Sequence, residues 1–246
     1  MRAPSAARTS PRRAQAGDEW FAAFLAHELR TPLAAQRARV ELALNDPSTD
    51  ADGWRAVGEG VLNACRRQER LVDACLTLAR SRAEEPRCEP VDLAAVAGEA
   101  LRAHDLRGLA ALAALERATT AADPELLARL ADNLVSNAIR HNVPGGRVEL
   151  ATRIRRGRAV LTVANTGPVV PDGELGRLFQ PFQRLDVRPR SFADGVGLGL
   201  TIVQAIADVH GARVTARARP AGGLVVEVAC SALSGRRSPR PCSARR

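Results

Sequence analysis

Residues 57–78, VGEGVLNACRRQERLVDACLTL, place apolar or small side chains at Val57, Val61, Ala64, Leu71, Cys75 and Leu78, with Gln68 completing the series. The steps alternate between four and three residues, a seven-residue repeat that marks a helix packing along a seam. The helix is predicted from about Gly53 to Arg80. Before it, residues 18–45 read as one long helix, with Asp18 placed to cap it and Asn45-Asp46-Pro47 to stop it. That helix offers Leu25, Leu29, Leu33, Gln36 and Val40 as a comparable stripe. A two-helix hairpin cannot bury two such faces by itself, so the expected assembly is a homodimer built on a four-helix bundle.

Beyond the hairpin, SRAEEPRCEP (81–90) is charged and punctuated by proline, and from Val91 the pattern changes to alternating helices and strands. A helix is predicted over 92–103, followed by an alanine-rich, ambiguous stretch, 104–122, read as a degraded strand and loop. Asp123-Pro124 is an N-cap with proline at the first helical position, opening a helix through Arg140. Strands are predicted over 147–154 and 159–164 about an Arg-Arg-Gly turn. A long loop (167–194), a helix (200–210) closed by Gly211, and a final hairpin (213–217 and 224–229) complete the chain. The fold class is α+β: a helical hairpin followed by a two-layer α/β sandwich. The expected organisation is a basic tail over 1–16, the hairpin over 17–82, a linker over 83–90, a catalytic domain over 91–230 and a second basic tail over 231–246.

The 246 residues suffice for two ordinary domains. The net charge of +9 invites a nucleic-acid reading, but residues 1–16 and 231–246 hold nine arginines and no acid, so the excess lies wholly in the tails. Such tails read as solvated and disordered, and no direct nucleic-acid partner is expected. Cys65, Cys75, Cys88, Cys230 and Cys242 form no CxxC pair and have no histidine at ligand spacing. That usage fits a reducing cytosol and excludes a cysteine metal site. No apolar run approaches the ~20 residues that span a bilayer, so the expected localisation is cytoplasmic, the alternative being membrane association through a partner or an N-terminal sensor absent from this sequence.

Five constellations carry chemistry. In FLAHELRTPL (24–33), His27 lies mid-helix beside Glu28, and Pro32 cannot donate to the carbonyl of Glu28, which predicts a kink one turn later. Neutral imidazole has a free lone pair and accepts a phosphoryl group near neutral pH, and Glu28 can hold or take the other nitrogen's proton. In DNLVSNAIRHN (132–142), Asn133 and Asn137 lie one helical turn apart and share a face that Arg140 and His141 continue. Amides in a cleft suit a magnesium triphosphate, one end coordinating the hard cation and the other donating to phosphate. VANTGP (163–168) ends a strand with Asn165 and Gly167; LFQPFQR (178–184) sets Phe179 and Phe182 as pins in a loop ending on Arg184, which can neutralise γ-phosphate charge. DGVGLGLTIV (194–203) opens a helix with Gly195, Gly197 and Gly199, which let backbone approach phosphates at a helix N-terminus. The Rossmann spacing is absent.

In this order the five segments resemble the sensor histidine kinases, with a HisKA phosphoacceptor hairpin and a catalytic domain of the Bergerat ATP-binding type. His27-Glu28-Leu29-Arg30-Thr31-Pro32-Leu33 matches the phosphoacceptor box at seven consecutive positions, Ala26 standing where serine is usual. The resemblance implies His27 as the phosphorylated residue, Glu28 as general base, and Thr31 as a residue of the reverse, phosphatase reaction. It implies ATP and Mg²⁺ as cofactors, Asn133 as the Mg²⁺ ligand, and Asn137, Arg140 and His141 beside the nucleotide. Arg184, Gly195, Gly197, Gly199 and Leu200 belong to the lid and the glycine box. In the family's D-x-G-x-G box an aspartate accepts from the adenine amino group; here Asn165 stands in its place, able to accept without the charge. The partner implied is the receiver domain of a response regulator. Two other readings are a degenerate scaffold that binds a regulator without turning over ATP, and a nucleic-acid binder acting through its tails.

Overall fold

The computed structural model describes residues 30–83, 87–180 and 197–233. The chain divides into two compact units, Met1–Glu69 and Arg70–Arg246. Both basic tails fall outside the described residues, apart from 231–233.

In the first unit, helix α1 occupies residues 30–45 and helix α2 begins the run Ala51–Ala83. The chain turns at Asp46, whose carboxylate accepts from the Ser48 amide at 2.9 Å and the Ser48 hydroxyl at 2.6 Å. Asp50 then accepts from the Gly53 amide at 2.8 Å, capping α2. Small residues let the helices approach, and Ala43 and Ala64 are buried. Gln36, Val40, Val57, Val61 and Gln68 of the expected stripes are half-buried. Leu33, expected in the seam, is instead 53% exposed, as are Leu42, Leu44 and Leu62 by more than half. The hairpin therefore buries alanines and leaves its largest apolar side chains outward.

The second unit is a sheet covered on one face by three helices. Its elements are β1 (Glu89–Asp92), α3 (Leu93–Ala103), β2 (Ala110–Leu115), β3 (Thr119–Ala122), α4 (Pro124–Arg140), β4 (Arg147–Arg155), β5 (Arg158–Asn165), a 3-10 helix (Asp172–Phe179), α5 (Gly199–Val209), β6 (Arg213–Ala218) and β7 (Leu224–Ser231). The main sheet has the order β2-β4-β5-β7-β6, parallel between β2 and β4 and antiparallel elsewhere. β1 and β3 form a separate antiparallel pair. β1 starts inside the stretch read as linker, and the alanine-rich 104–122 supplies two strands. The 3-10 helix lies within the long loop and is tied to α5 by the Thr201 hydroxyl, which donates to the Phe179 carbonyl at 3.3 Å.

Register shows which residues meet the helices. Thr152, Leu161, Val228 and Val214 form one cross-strand row, and Leu150, Val163, Val226 and Ala216 the next on the same face. Against these rows α4 sets Leu127, Leu130, Leu134 and Val135, and α5 sets Val203 and Ile206, all essentially inaccessible. Each such leucine contributes about 1.5–3 kcal/mol by leaving water. Asp123 caps α4 as its sequence predicts, accepting from the amides of Glu125 at 3.0 Å and Leu126 at 3.1 Å. The cysteine usage fits a reducing cytosol; Cys88 is nevertheless disulfide-bonded, whereas Cys65 and Cys230 carry free thiols.

Candidate active site

The polar face of α4 forms the spine of the site. The Asn133 amide nitrogen donates to the carbonyl of Arg129 at 2.7 Å, which ties it back to its own helix and leaves Oδ1 as the free end. That oxygen lies 3.7 Å from where a Cβ on Gly199 would stand. One turn on, the Asn137 carboxamide makes no hydrogen bond among the described residues, although its backbone carbonyl accepts from the His141 amide at 3.0 Å. Arg140 leans back onto the Ser136 hydroxyl at 3.4 Å. His141 ends the helix with its ring exposed and its backbone carbonyl accepting from Asn165 at 3.2 Å. Asn133 and His141 are eight residues apart, about 12 Å along the axis, so α4 links the glycine segment at one end with Asn165 at the other.

Asn165 is the last residue of β5 and is buried, 7% exposed. Its amide nitrogen also donates to the Thr166 carbonyl at 2.7 Å. The next residues run close to other backbone. A Cβ on Gly167 would come within 2.5 Å of the His141 carbonyl oxygen, and one on Gly223 would overlap the carbonyl of Asn165. The Gly223 amide donates to the Pro168 carbonyl at 2.9 Å. The turn between β6 and β7 therefore presses on the Asn165–Pro168 segment from behind.

At the phosphate end, Gly197 adopts φ 75° and Gly199 is the first residue of α5. Leu198 and Leu200 are buried and anchor that turn. No side chain caps α5, so its first amides stay available to an anion.

Of the residues singled out in the sequence, α4, β5 and the start of α5 bring Asn133, Asn137, Arg140, His141, Asn165, Gly167, Gly197, Gly199 and Leu200 along one spine. Thr31 lies in α1. His27, Glu28, Arg184 and Gly195 lie outside the described residues. Two contributors escape the sequence reading. The Thr166 hydroxyl donates to Asn142 Oδ1 at 2.6 Å and accepts from the Arg147 amide at 2.8 Å. Asn142 in turn donates to the carbonyls of Ala138 at 3.1 Å and Arg147 at 3.0 Å, clasping the end of α4 to β4 and β5. The Gly222-Gly223 pair reads as ordinary turn chemistry, and nothing in it signals the segment it backs.

For a divalent cation the donor set is sparse. Among the described residues no group of three or more His, Cys, Asp or Glu could hold a metal. The free oxygen of Asn133 fits a magnesium ion that takes its remaining ligands from phosphates and water. No helix among the described residues is long and apolar enough to cross a membrane.

Residues 20–84 match the family model described as His Kinase A (phospho-acceptor) domain. Residues 122–232 match that described as Histidine kinase-, DNA gyrase B-, and HSP90-like ATPase. The second alone is shared by several ATPase families; the first, preceding it, decides among them. The chain belongs to the histidine kinases. As a histidine kinase it is 42% identical over 221 residues to the Sensor protein CutS of Streptomyces coelicolor, covering 88% of this chain and 53% of that protein. It is 33% identical over 208 residues to the Sensor protein CzcS of Cupriavidus metallidurans, covering 80% and 42%. The chain thus spans about half the length of the curated relatives it matches. The solved Acinetobacter baumannii histidine kinase AdeS shares the fold, with a TM-score of 0.66 and 21% identity over 83% of this chain and 97% of that one. The phosphoacceptor match includes His27, Glu28 and Thr31, and the ATPase match runs from before Asn133 to beyond Leu200.

Proposed function

We propose that this chain is the kinase core of a two-component sensor. It phosphorylates its own His27 from ATP and passes the phosphoryl group to an aspartate on the receiver domain of a response regulator. The observation that carries the reading is the α4 spine, with a free amide oxygen and a glycine turn at one end and a buried asparagine at the other. A nucleotide laid along it sets its base at Asn165 and its phosphates at Asn133, Gly197, Gly199 and the first turn of α5. Asn137, Arg140 and His141 flank it, and the family resemblance assigns Arg184 and Gly195 a part in phosphate binding. Mg²⁺, when bound, neutralises triphosphate charge, and Asn133 is the residue that would hold it.

In the transfer, an unprotonated nitrogen of His27 attacks the γ-phosphorus, and the bond to the β–γ bridging oxygen breaks with its electron pair leaving on ADP. Glu28 holds or takes the proton of the other ring nitrogen. In the second step the regulator's carboxylate attacks the same phosphorus and the P–N bond breaks. Thr31, one turn beyond His27, is placed to orient water in the reverse, phosphatase direction. Catalysis is chiefly positioning and charge neutralisation.

The hairpin over 17–82 would be the dimerisation and phosphoacceptor domain, 91–230 the catalytic domain, 83–90 the linker, and 1–16 and 231–246 basic tails. The exposed Leu33 and Leu44, eleven residues apart and so on one side of α1, supply apolar surface that a homodimer would cover. A reaction that consumes ATP belongs on the cytoplasmic side. Incubation with γ-labelled ATP and Mg²⁺ tests the reading: acid-labile label should appear on the wild type and vanish in His27→Ala. Unlabelled wild type under conditions where ATP binds would favour the scaffold instead.

A further inference from the structure

Strand register separates the positions of the main sheet that meet the helices from those turned away from them. On the face turned away, Arg153, Val160, Ala229 and Arg213 form one row. Ala151, Thr162, Glu227 and Thr215 form the next, and Glu149, Ala164, Val225 and Arg217 the third. Arg147, Arg155 and Arg158 share this face by alternation along β4 and β5. On its strands six arginines thus oppose two glutamates, and both glutamates are taken: Glu149 by Arg147 at 2.7 Å and Arg219 at 2.8 Å, Glu227 by Arg155. Arg153, Arg213 and Arg217 are exposed and make no ion pair or side-chain hydrogen bond among the described residues. Arg158 reaches only the Ala229 carbonyl, at 3.4 Å. The chain between its tails carries as many acids as arginines, so the excess here is segregation and not overall charge. The row from Arg153 to Arg213 crosses four strands, about 14 Å, and Arg213 and Arg217 stand about 13 Å apart on β6. Near the opposite edge of the same face is Leu112 of β2, in register with Glu149 and 55% exposed. β7 ends at Ser231, beside Arg158, and the sequence runs on through Arg236, Arg237, Arg240, Arg245 and Arg246 without an acid.

We infer that this face docks the second unit on an anionic phospholipid surface, Arg153, Arg158, Arg213 and Arg217 taking phosphate headgroups and Leu112 entering the interface. Each arginine held near an anionic leaflet contributes on the order of fivefold to affinity, and its planar fork takes phosphate oxygens in pairs. An exposed leucine on the same face as unpaired arginines makes an interfacial anchor, in which apolar contact and charge attraction add. A nucleic-acid duplex fits worse. Five strands span about 19 Å, too broad for a major groove about 12 Å wide, and Leu112 would be set against phosphates. Docking leaves the proposed nucleotide site open, because α4 and α5 lie on the other side of the sheet.

The experiment is co-sedimentation of the full chain with vesicles of phosphatidylcholine alone and of an equimolar mixture with phosphatidylglycerol, at low and at physiological salt. The wild type should bind the mixed vesicles and not the neutral ones, and more weakly as salt rises. R153Q/R213Q/R217Q removes three of the four headgroup contacts and leaves both tails in place, so its affinity should fall on the order of a hundredfold. L112S should weaken binding several-fold at both salt concentrations, because its contact is not ionic. R55Q/R66Q/R102Q, which takes the same charge from exposed helical positions, should bind within about threefold of the wild type. A wild type that ignores the mixed vesicles overturns the docking, and that comparison needs no variant. Equal affinity of R153Q/R213Q/R217Q and the wild type would assign the attraction to the tails and overturn it too. So would equal losses in the two triple variants, each shown folded by circular dichroism, since net charge alone would then account for binding. Tighter binding to a random DNA duplex than to mixed vesicles, lost in R153Q/R213Q/R217Q, would make the face a nucleic-acid site instead.

Discussion

Gln36 Nε2 in α1 donates to Gln68 Oε1 in α2 at 3.4 Å, so the polar members of the two helical stripes meet across the hairpin seam. The distance is at the weak end for such a bond, and both side chains are half-buried. Gln68→Leu strands the amide of Gln36 and should cost about 0.5–1.5 kcal/mol. The double change Q36L/Q68L should recover that stability or exceed it while loosening register and oligomer state, because a buried polar pair specifies alignment more than it stabilises. Thermal denaturation and light scattering on the single and double variants check this. Equal midpoints for Q68L and the wild type would show that the pair contributes nothing.

Gly223 sits at φ 99° with its α-carbon against the carbonyl of Asn165. Gly223→Ala adds a methyl group where there is backbone and forces a side chain into a conformation L-residues avoid. The loss should exceed about 1 kcal/mol. Because the displaced segment carries Asn165, ATP affinity should fall by about tenfold, although the turn touches no nucleotide. Ala221→Ser, exposed in the same turn, should change neither quantity. A G223A protein that binds Mg²⁺-ATP like the wild type would separate this turn from the site.

What was legible in the sequence was whatever side chains alone determine. α4 could be bounded at both ends because Asp123 and Pro124 make a cap whose chemistry is local. β4 and β5 were readable from alternation about a tight turn. β2 was not: AALAAL lacks β-branched residues, and five of its six positions are exposed. It is a strand because β4 offers a parallel edge, a tertiary cause that no local pattern records. The site divides likewise. The shared face of Asn133 and Asn137 follows from helical spacing, but the acceptors that orient Asn165 are backbone carbonyls, which every residue has. His27 and Glu28 are legible as a motif and lie outside the described residues.

Burial pushes the Cys230 thiol up to about 11, against smaller lowering contributions from Thr120 and Arg158. The thiolate is the reactive form, so alkylation of the native chain near neutral pH should leave Cys230 untouched. Cys65, half-buried and free on α2, should react roughly two orders of magnitude faster. Peptide mass mapping after iodoacetamide, with and without denaturant, distinguishes them. Native labelling of Cys230 at the rate of Cys65 would mean that the end of β7 opens.

His210 closes α5 and joins it to the cap of α4. Its Nε2 accepts from the Asp123 amide at 2.9 Å, so the ring is neutral with the proton on Nδ1, which donates to the Ile206 carbonyl at 2.8 Å. Burial holds its pKa below the ordinary 6.5, opposed by the bond to Ile206 and the charge of Asp123. Protonation would put the ring's second hydrogen on Nε2, facing an N–H. The unfolded chain therefore takes up the proton at a higher pH than the folded one. His210's contribution is complete above the unfolded value and is lost as pH falls from there through the folded value. His210→Gln cannot titrate, so the gap in thermal midpoint between wild type and H210Q isolates the effect. That gap should be widest near about pH 7.5 and shrink towards about pH 5. A gap that stayed constant or widened on acidification would show that His210 is not the neutral acceptor of the Asp123 amide.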